Sequence, residues 1–76
     1  MATKRVKILG DNIRAERMRK KYTQSQMAEL VDISRESLVK IENGKQTPSA
    51  FIVFDIANAL DISYEDLFKN VPKTKD

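Results

Sequence analysis

The sequence predicts an all-α fold, a compact bundle of five short helices. Three times along the chain an apolar residue precedes a Ser or Thr, and a second apolar residue follows five positions after the first. This arrangement is the hydrophobic staple around a hydroxyl-capped helix start. Apolar residues recur at helical spacing, and no segment alternates as a strand would. A chain of 76 residues holds one such domain, because two smaller cores would not be stable.

The three capped starts are Tyr22-Thr23, Ile33-Ser34 and Ile62-Ser63, while Gly44 and Thr47-Pro48-Ser49 separate the third helix from the fourth. With helical periodicity, these signals place helices over about residues 7–20, 24–31, 35–43, 50–60 and 64–69. The predicted core positions of the first three helices are Leu9, Ile13, Met27, Ala28, Val31, Leu38 and Ile41. We predict one domain over residues 7–69, between a flexible basic arm at 1–6 and a tail at 70–76.

Composition excludes several classes of function. The chain has no cysteine and no histidine, so it lacks disulfides, thiolate metal sites and the commonest general base. We expect no catalytic residue, metal, cofactor or small-molecule ligand. No apolar run is long enough to span a membrane, and no signal-peptide core follows the basic N-terminus. We therefore expect a soluble cytoplasmic protein.

Charge is distributed unevenly along the chain. Residues 1–45 carry eleven Lys and Arg against six Asp and Glu, whereas residues 46–76 carry three against five. A basic front fits a protein with one surface that faces a polyanion, but an ordinary solvated surface would look the same. The same two alternatives stay open for Lys4, Arg5 and Lys7, as an arm along a phosphate backbone or a solvated tail.

The second and third helices carry the strongest functional signal. Only Asp32-Ile33-Ser34 separates them, and so short a link makes two helices cross steeply, as in the helix-turn-helix of DNA-binding proteins. The third helix has Leu38 and Ile41 on its core side. Its outward positions are Arg35, Glu36, Val39, Lys40 and Asn43. Two of these lie in the first turn, the part of a recognition helix that meets base edges.

From Ile13 to Phe68 the chain resembles the phage repressor/Cro (XRE-like) type of helix-turn-helix domain. The segments that carry the resemblance are IRAERMRKKYTQSQMAELVDISRESLVKIENGK, TPS and IANALDISYEDLF. It implies a lambda repressor-like fold and a homodimeric transcriptional regulator that binds double-stranded DNA at a near-palindromic operator. Phage repressors, restriction-modification controllers and mobile-element regulators are of this type. An antitoxin-type module that binds a toxin protein as well as DNA is the alternative.

The resemblance also implies roles for the matching residues. The base-reading positions are Arg35, Glu36, Lys40, Ser34 and Ser37, and the phosphate positions are Gln24, Asn43, Lys45, Arg17 and Arg14. Arg and Lys suit the acceptor pair of guanine, Glu can accept from the cytosine amino group, and helix N-termini attract anions. Capping explains Ser34 and Ser37 equally well. Arg17 and Glu42 match an ion pair that ties the first helix to the third.

Two departures from the family pattern bear on stability and assembly. Lys21, Asp32 and Asp61 stand where the family favours glycine at helix ends, and left-handed backbone there costs a lysine about 1 kcal/mol. The start of the fourth helix is apolar on nearly all sides, more than one small core covers. We therefore predict a homodimer interface at Phe51, Phe54, Val71 and Tyr64, and we expect Phe68 to belong to the core.

Overall fold

Five helices follow one another along residues 4–73, the part of the chain that the computed structural model describes. They are α1 (Lys4–Arg19), α2 (Gln24–Leu30), α3 (Arg35–Glu42), α4 (Ala50–Leu60) and α5 (Tyr64–Leu67), and no residue in that range lies in a strand. The predicted all-α fold is confirmed. None of the described helices is long and apolar enough to cross a membrane.

The first helix begins earlier than predicted. It starts at Lys4 rather than Lys7, so residues 4–6 of the predicted flexible arm are helical. The physical reason is Val6, which is half-buried and continues the apolar stripe of Leu9 and Ile13 back by one turn. Residues 1–3 of the predicted arm and 74–76 of the predicted tail lie outside the described part of the chain.

Three later helices end one or two residues before their predicted ends. The residues that follow α2, α3 and α5 are Val31, Asn43 and Phe68, which serve as C-caps with ψ of 9°, 1° and 15°. Each keeps its N–H bonded into the preceding turn while its ψ leaves the helical range. The helices are therefore short, and their joints occupy much of the chain.

Three of the joints share one construction. A residue with positive φ ends the helix, and the N–H of the next, apolar residue donates to the carbonyl five positions earlier, which is a Schellman closure. The positive-φ residues are Lys21 (63°), Asp32 (56°) and Asp61 (55°), and the apolar residues that follow are Tyr22, Ile33 and Ile62. All three apolar residues pack against the core. The joints are thus anchored at both the backbone and the side chain.

The next residue after each joint caps the following helix. Thr23, Ser34 and Ser63 each accept a hydrogen bond from the backbone N–H three residues later. Thr23 and Gln26 form a complete capping box, because the Thr23 N–H also donates to Gln26 Oε1 at 2.8 Å. The three predicted helix starts are confirmed. Only one apolar residue separates the positive-φ residue that ends one helix from the Ser or Thr that caps the next. Consecutive helices therefore meet at short corners.

The core is organised around α1. Helix α3 packs against α1 and α2, while α4 and α5 pack against α1 and each other. The predicted core positions are all buried, and the later helices add Val53, Ile56, Ala57, Leu60 and Leu67. Helices α1 and α3 approach so closely that a Cβ on Gly10 would collide with the Ile41 carbonyl oxygen and lie 2.7 Å from that of Glu42. This close contact sets the orientation of α3 on the rest of the domain.

Candidate nucleic-acid interface

Helix α3 is fixed on one side and exposed on the other. Leu38, Ile41 and Glu42 are at most 1% exposed, so the inner side of the helix is held in the core. The opposite side presents the charged side chains of Arg35, Glu36 and Lys40 to solvent. The structure therefore brings the three charged residues predicted to read bases onto one exposed surface, which we call the α3 face.

The serines at the start of α3 are engaged with each other. Ser34 Oγ accepts from the Ser37 N–H at 3.0 Å and donates to Ser37 Oγ at 3.0 Å. Capping therefore accounts for the Ser34 hydroxyl, and the Ser37 hydroxyl is its hydrogen-bond acceptor. The predicted base contacts of Ser34 and Ser37 stay predictions.

A buried ion pair joins α1 to the end of α3. Arg17 Nε donates to Glu42 Oε2 at 2.7 Å, and Arg17 Nη2 donates to Glu42 Oε1 at 3.1 Å. The remaining nitrogen, Nη1, donates to the Tyr22 carbonyl at 2.8 Å. The arginine and glutamate side chains are 11% and 1% exposed. Because all three nitrogens of Arg17 bond within the protein, the geometry favours the structural role over the predicted phosphate contact.

Gln24 links this ion pair to the α3 face. Its Nε2 donates to Glu42 Oε1 at 3.2 Å, and its Oε1 accepts from Arg35 Nη2 at 3.3 Å. Glu42 thus orients the amide so that its oxygen meets the exposed Arg35 side chain. Sequence reasoning missed this link. The available signal was that Gln24 and Arg35 are the first residues of two helices joined by a short corner.

The loop after α3 places two further predicted contacts beside the α3 face. Gly44 has φ of 74°, and the Lys45 N–H donates to the Lys40 carbonyl at 2.8 Å, which closes the helix. Asn43 and Lys45 are exposed on either side of this glycine. A Cβ on Gly44 would lie 2.8 Å from Lys7 Cα, so the loop rests directly on α1. The two exposed residues are therefore carried on a backbone with little freedom.

The basic side chains of helix α1 differ in how accessible they are for a phosphate contact. Arg14, predicted as a phosphate contact, is exposed one turn before Arg17. Lys7 donates to Asp11 at 2.8 Å in an exposed pair. Lys4 lies in the first turn of α1 rather than in a free arm. Arg14 is thus the most accessible of the predicted phosphate residues on this helix.

The side chains of this surface are suited to binding a nucleic acid through hydrogen bonds and charge. It offers guanidinium, ammonium and amide donors with one carboxylate, the groups that hydrogen-bond base edges and phosphates. Among residues 4–73, no group of three or more His, Cys, Asp and Glu could hold a metal ion.

A helix-turn-helix family model (HTH_3) matches residues 13–67 of the chain. The chain belongs to the helix-turn-helix family.

Curated relatives of this helix-turn-helix protein include the uncharacterized HTH-type transcriptional regulator YazB of Bacillus subtilis. The two are 45% identical over 60 residues, which cover 79% of this chain and 87% of YazB. Antitoxin PezA of Streptococcus pneumoniae is 35% identical over 60 residues, but they cover only 38% of the antitoxin. The helix-turn-helix protein is therefore a transcriptional regulator of the XRE type, as the resemblance implies.

Solved structures give the same result for the fold. The master regulator for biofilm formation SinR, in a crystal structure in complex with DNA, superposes with a TM-score of 0.75 at 31% sequence identity. The match covers 80% of this chain and 98% of that chain. The helix-turn-helix protein thus has the five-helix repressor fold that the sequence predicts.

The helix-turn-helix protein also exposes aromatic side chains along α4 and α5, a surface we call the α4–α5 face. Phe51 is 81% exposed, and Phe54 and Tyr64 are 48% and 49% exposed. The Phe54 and Tyr64 rings lie 6.4 Å apart between centroids. Three of the four predicted interface residues are therefore accessible.

One prediction at the C-terminal end needs correction. Phe68 is 41% exposed, so the expectation that it belongs to the core is wrong. The reason is that α5 is a single turn, and it directs the neighbouring Leu67 inward at 0% exposure. Val71, predicted at the interface, is half-buried against the core and offers less free surface than expected. Asn12 secures this end, since its Nδ2 donates to the carbonyls of Leu67 and Lys69 at 2.9 and 2.7 Å.

Proposed function

We propose that the protein is a sequence-specific regulator that binds double-stranded DNA as a homodimer, with α3 in the major groove at each half of a near-palindromic operator. The observation that carries the proposal is the α3 face. Its charged residues project from a helix whose opposite side is locked by Leu38, Ile41 and Glu42. A rigid helix with exposed donors is what base readout requires, because each hydrogen bond depends on placement of the side chain.

Each charged residue of the α3 face has a distinct role in the proposal. Arg35 and Lys40 donate to the N7 and O6 acceptors of guanine, and Glu36 accepts from a cytosine amino group. Arg35 also bonds to Gln24, which restricts its side chain before DNA is bound. Ser34 and Ser37 are secondary contacts, since the Ser34 hydroxyl already caps the helix and also donates to the Ser37 hydroxyl.

The phosphate contacts are proposed to flank this face. Asn43 and Lys45 leave the rigid loop after α3, Gln24 opens α2, and Arg14 lies on the neighbouring helix. These groups fix the register of the protein on the duplex without reading sequence. Because the Gln24 amide also holds Arg35, replacing it should affect both the general affinity and one base preference.

Two copies are needed for adequate selectivity. One recognition helix reads only a few base pairs, and a genome offers a large excess of competing sites. A two-fold dimer places two such helices about 34 Å apart, one turn of duplex. The α4–α5 face is the proposed contact, through Phe51, Phe54 and Tyr64 with Val71 at its margin. An apolar patch of this kind on a small domain marks an interaction surface.

Selection of bound sequences from a random duplex pool tests the proposal. The wild-type protein should enrich a near-palindrome. Arg35→Ala and Lys40→Ala should each weaken binding to it by about 1–3 kcal/mol and relax the preference at one position per half-site. Glu36→Gln should change which base is preferred. As a matched control, Lys45→Ala should weaken all duplexes about equally. Uniform loss in the α3 variants would contradict their base-reading roles.

The alternative function is an antitoxin-type module, and the similarity to PezA favours it as the second candidate. A toxin-binding chain would form a stable complex with the product of a neighbouring gene when the two are produced together. It would also leave DNA binding through α3 intact. Isolation of that complex at a fixed ratio, with a matching loss of the toxic effect, would establish this role beside the regulatory one.

A further inference from the structure

An apolar groove lies next to the α4–α5 face, where α1, α4, α5 and the loop before α4 meet. Its volume is about 590 Å³, and its walls include Leu9, Pro48, Ala50, Val53, Tyr64 and Phe68. Ala50 opens the groove at the start of α4, because a methyl group stands where a larger side chain would fill the space. The phosphate and base contacts proposed above do not use this groove.

The residue after Ala50 is a large aromatic side chain that protrudes from the surface. Phe51 projects from α4 with 81% of its surface exposed, the largest exposure among the large hydrophobic residues of the described chain. Phe54, one turn later, is supported by Tyr64, whose ring also forms a wall of the groove. Helix α4 therefore carries a protruding aromatic ring and also forms one wall of the apolar groove.

We propose that the groove receives the Phe51 ring of a second copy of this chain, and that the contact is reciprocal. In a two-fold dimer, a contact from one residue to another occurs twice, so a ring and a recess on the same helix satisfy each other in both copies. This inference rests on the homodimer of the proposed function and specifies how it is built. The groove is an apolar recess of the size that buries aromatic groups in binding sites.

The area of the face agrees with a second copy as the occupant. The exposed fractions of Phe51, Phe54, Tyr64 and Phe68 correspond to on the order of 400 Å² per copy, at about 200 Å² per aromatic residue. A standard interface buries about 800 Å² per partner, so the rings alone supply about half of it. Tyr64 and Phe68 are also groove walls and are already counted, so the rest of the area has to come from exposed residues of α4 such as Asp55 and Asn58.

The position of the groove agrees with DNA binding by the same dimer. Thr47 and Pro48, at the groove edge, follow the exposed Lys45 within three residues. Helix α3 packs on α1 and α2, whereas the groove is formed by α1, α4 and α5. None of the residues that line the groove belongs to α3, so the proposed contact does not use the α3 face.

Two substitutions test the contact from its two sides. Phe51→Ala removes the ring, and Ala50→Leu fills the recess with a side chain that suits a helix. Each should weaken dimerisation about a hundredfold to ten-thousandfold in Kd, measured by sedimentation equilibrium, since each excludes two rings from burial, one in each copy. The double variant should be no weaker than the worse single variant within about threefold, because both changes break the same pair of symmetry-related contacts. Met18→Ala, at a 59% exposed residue of α1, should leave the Kd unchanged.

A direct observation uses the unmodified chain. In a mixture of isotopically labelled and unlabelled protein, intermolecular NOEs should connect the Phe51 ring to the methyl groups of Ala50 and Leu9. A dimer that lacks these NOEs and withstands Phe51→Ala would overturn this inference and leave the regulatory proposal standing. Wild-type monomer at tens of micromolar would overturn both the groove contact and the homodimer. Failure to enrich any sequence from the duplex pool, with the NOEs present, would refute DNA readout alone.

Discussion

At residue 10, helix propensity and tertiary packing make opposite demands. Glycine inside a helix is about 1 kcal/mol less favourable than alanine, so propensity alone predicts that Gly10→Ala stabilises the protein. In the structure, the added Cβ would meet the backbone carbonyl oxygens of Ile41 and Glu42, which cannot rotate away as a side chain would. The contact between α1 and α3 therefore depends on this glycine.

We predict that Gly10→Ala destabilises the protein by about 1–3 kcal/mol, the usual cost of overpacking. For a domain of this size, that loss lowers the melting temperature by several degrees, because 1 kcal/mol corresponds to about 4–8 °C. Thermal unfolding followed by circular dichroism measures it. The sign of the change is decisive, and a more stable variant would contradict the close approach of the two helices.

The Arg17–Glu42 pair is the second residue-scale feature that can be tested. Removing one partner of a buried pair costs about 3–5 kcal/mol, since the other charge stays buried and unpaired. We predict such a loss for Arg17→Ala, and a smaller one for Arg17→Lys, which keeps the charge without the two-point contact. Arg19→Ala is the control and should cost about 0–1 kcal/mol, because the Arg19 side chain, 3.3 Å from Glu16, is 75% exposed. If Arg17→Ala abolished DNA binding at an unchanged melting temperature, Arg17 would be a DNA ligand instead.

At the scale of the helices, the corners contain local strain. Lys21, Asp32 and Asp61 adopt the left-handed backbone that favours glycine, and aspartate tolerates it better than lysine does. These corners still form, because each is closed by backbone hydrogen bonds and by an apolar residue packed on the core. The left-handed backbone at Lys21 therefore lowers the free energy of unfolding but does not prevent the corner from forming.

We predict that Lys21→Gly stabilises the domain by about 1 kcal/mol, because glycine adopts positive φ without a steric penalty. Lys20→Gly is the matched control one residue earlier, where φ is not positive, and it should be neutral or destabilising. Urea denaturation of the three proteins compares their unfolding free energies. Equal effects of the two substitutions would show that the left-handed corner is not strained.

At the scale of the whole molecule, charge predicts how binding responds to salt. If the two subunits of a dimer neutralise about six to ten phosphates, log affinity should fall with log salt at a slope of roughly −5 to −9. Lys45→Ala removes one such contact per subunit and should reduce that slope by about two. Lys69→Ala, an exposed lysine beyond α5, should not change it. Salt-independent affinity for duplexes would contradict DNA binding by this surface.

The corners and helix starts could be predicted from sequence because their interactions are local. A cap joins residues three apart and a Schellman closure joins residues five apart, so residue types at fixed offsets suffice. The apolar period likewise identified the buried side of each of the first three helices. The prediction was wrong at Lys4, where a cluster of basic residues concealed the apolar stripe that Val6 extends.

Local sequence patterns were enough to predict the order of the helices, their capped starts and the exposed polar residues of α3. The tertiary structure alone decided which distant residues meet. Gln24 between Glu42 and Arg35, Gly10 against the end of α3, and the groove beside Ala50 all join segments far apart in the chain. It also decided that Leu67 rather than Phe68 enters the core, because a one-turn helix has too short an apolar pattern to define its own inner side. Such contacts depend on the angles and distances at which helices pack, and no local pattern encodes these.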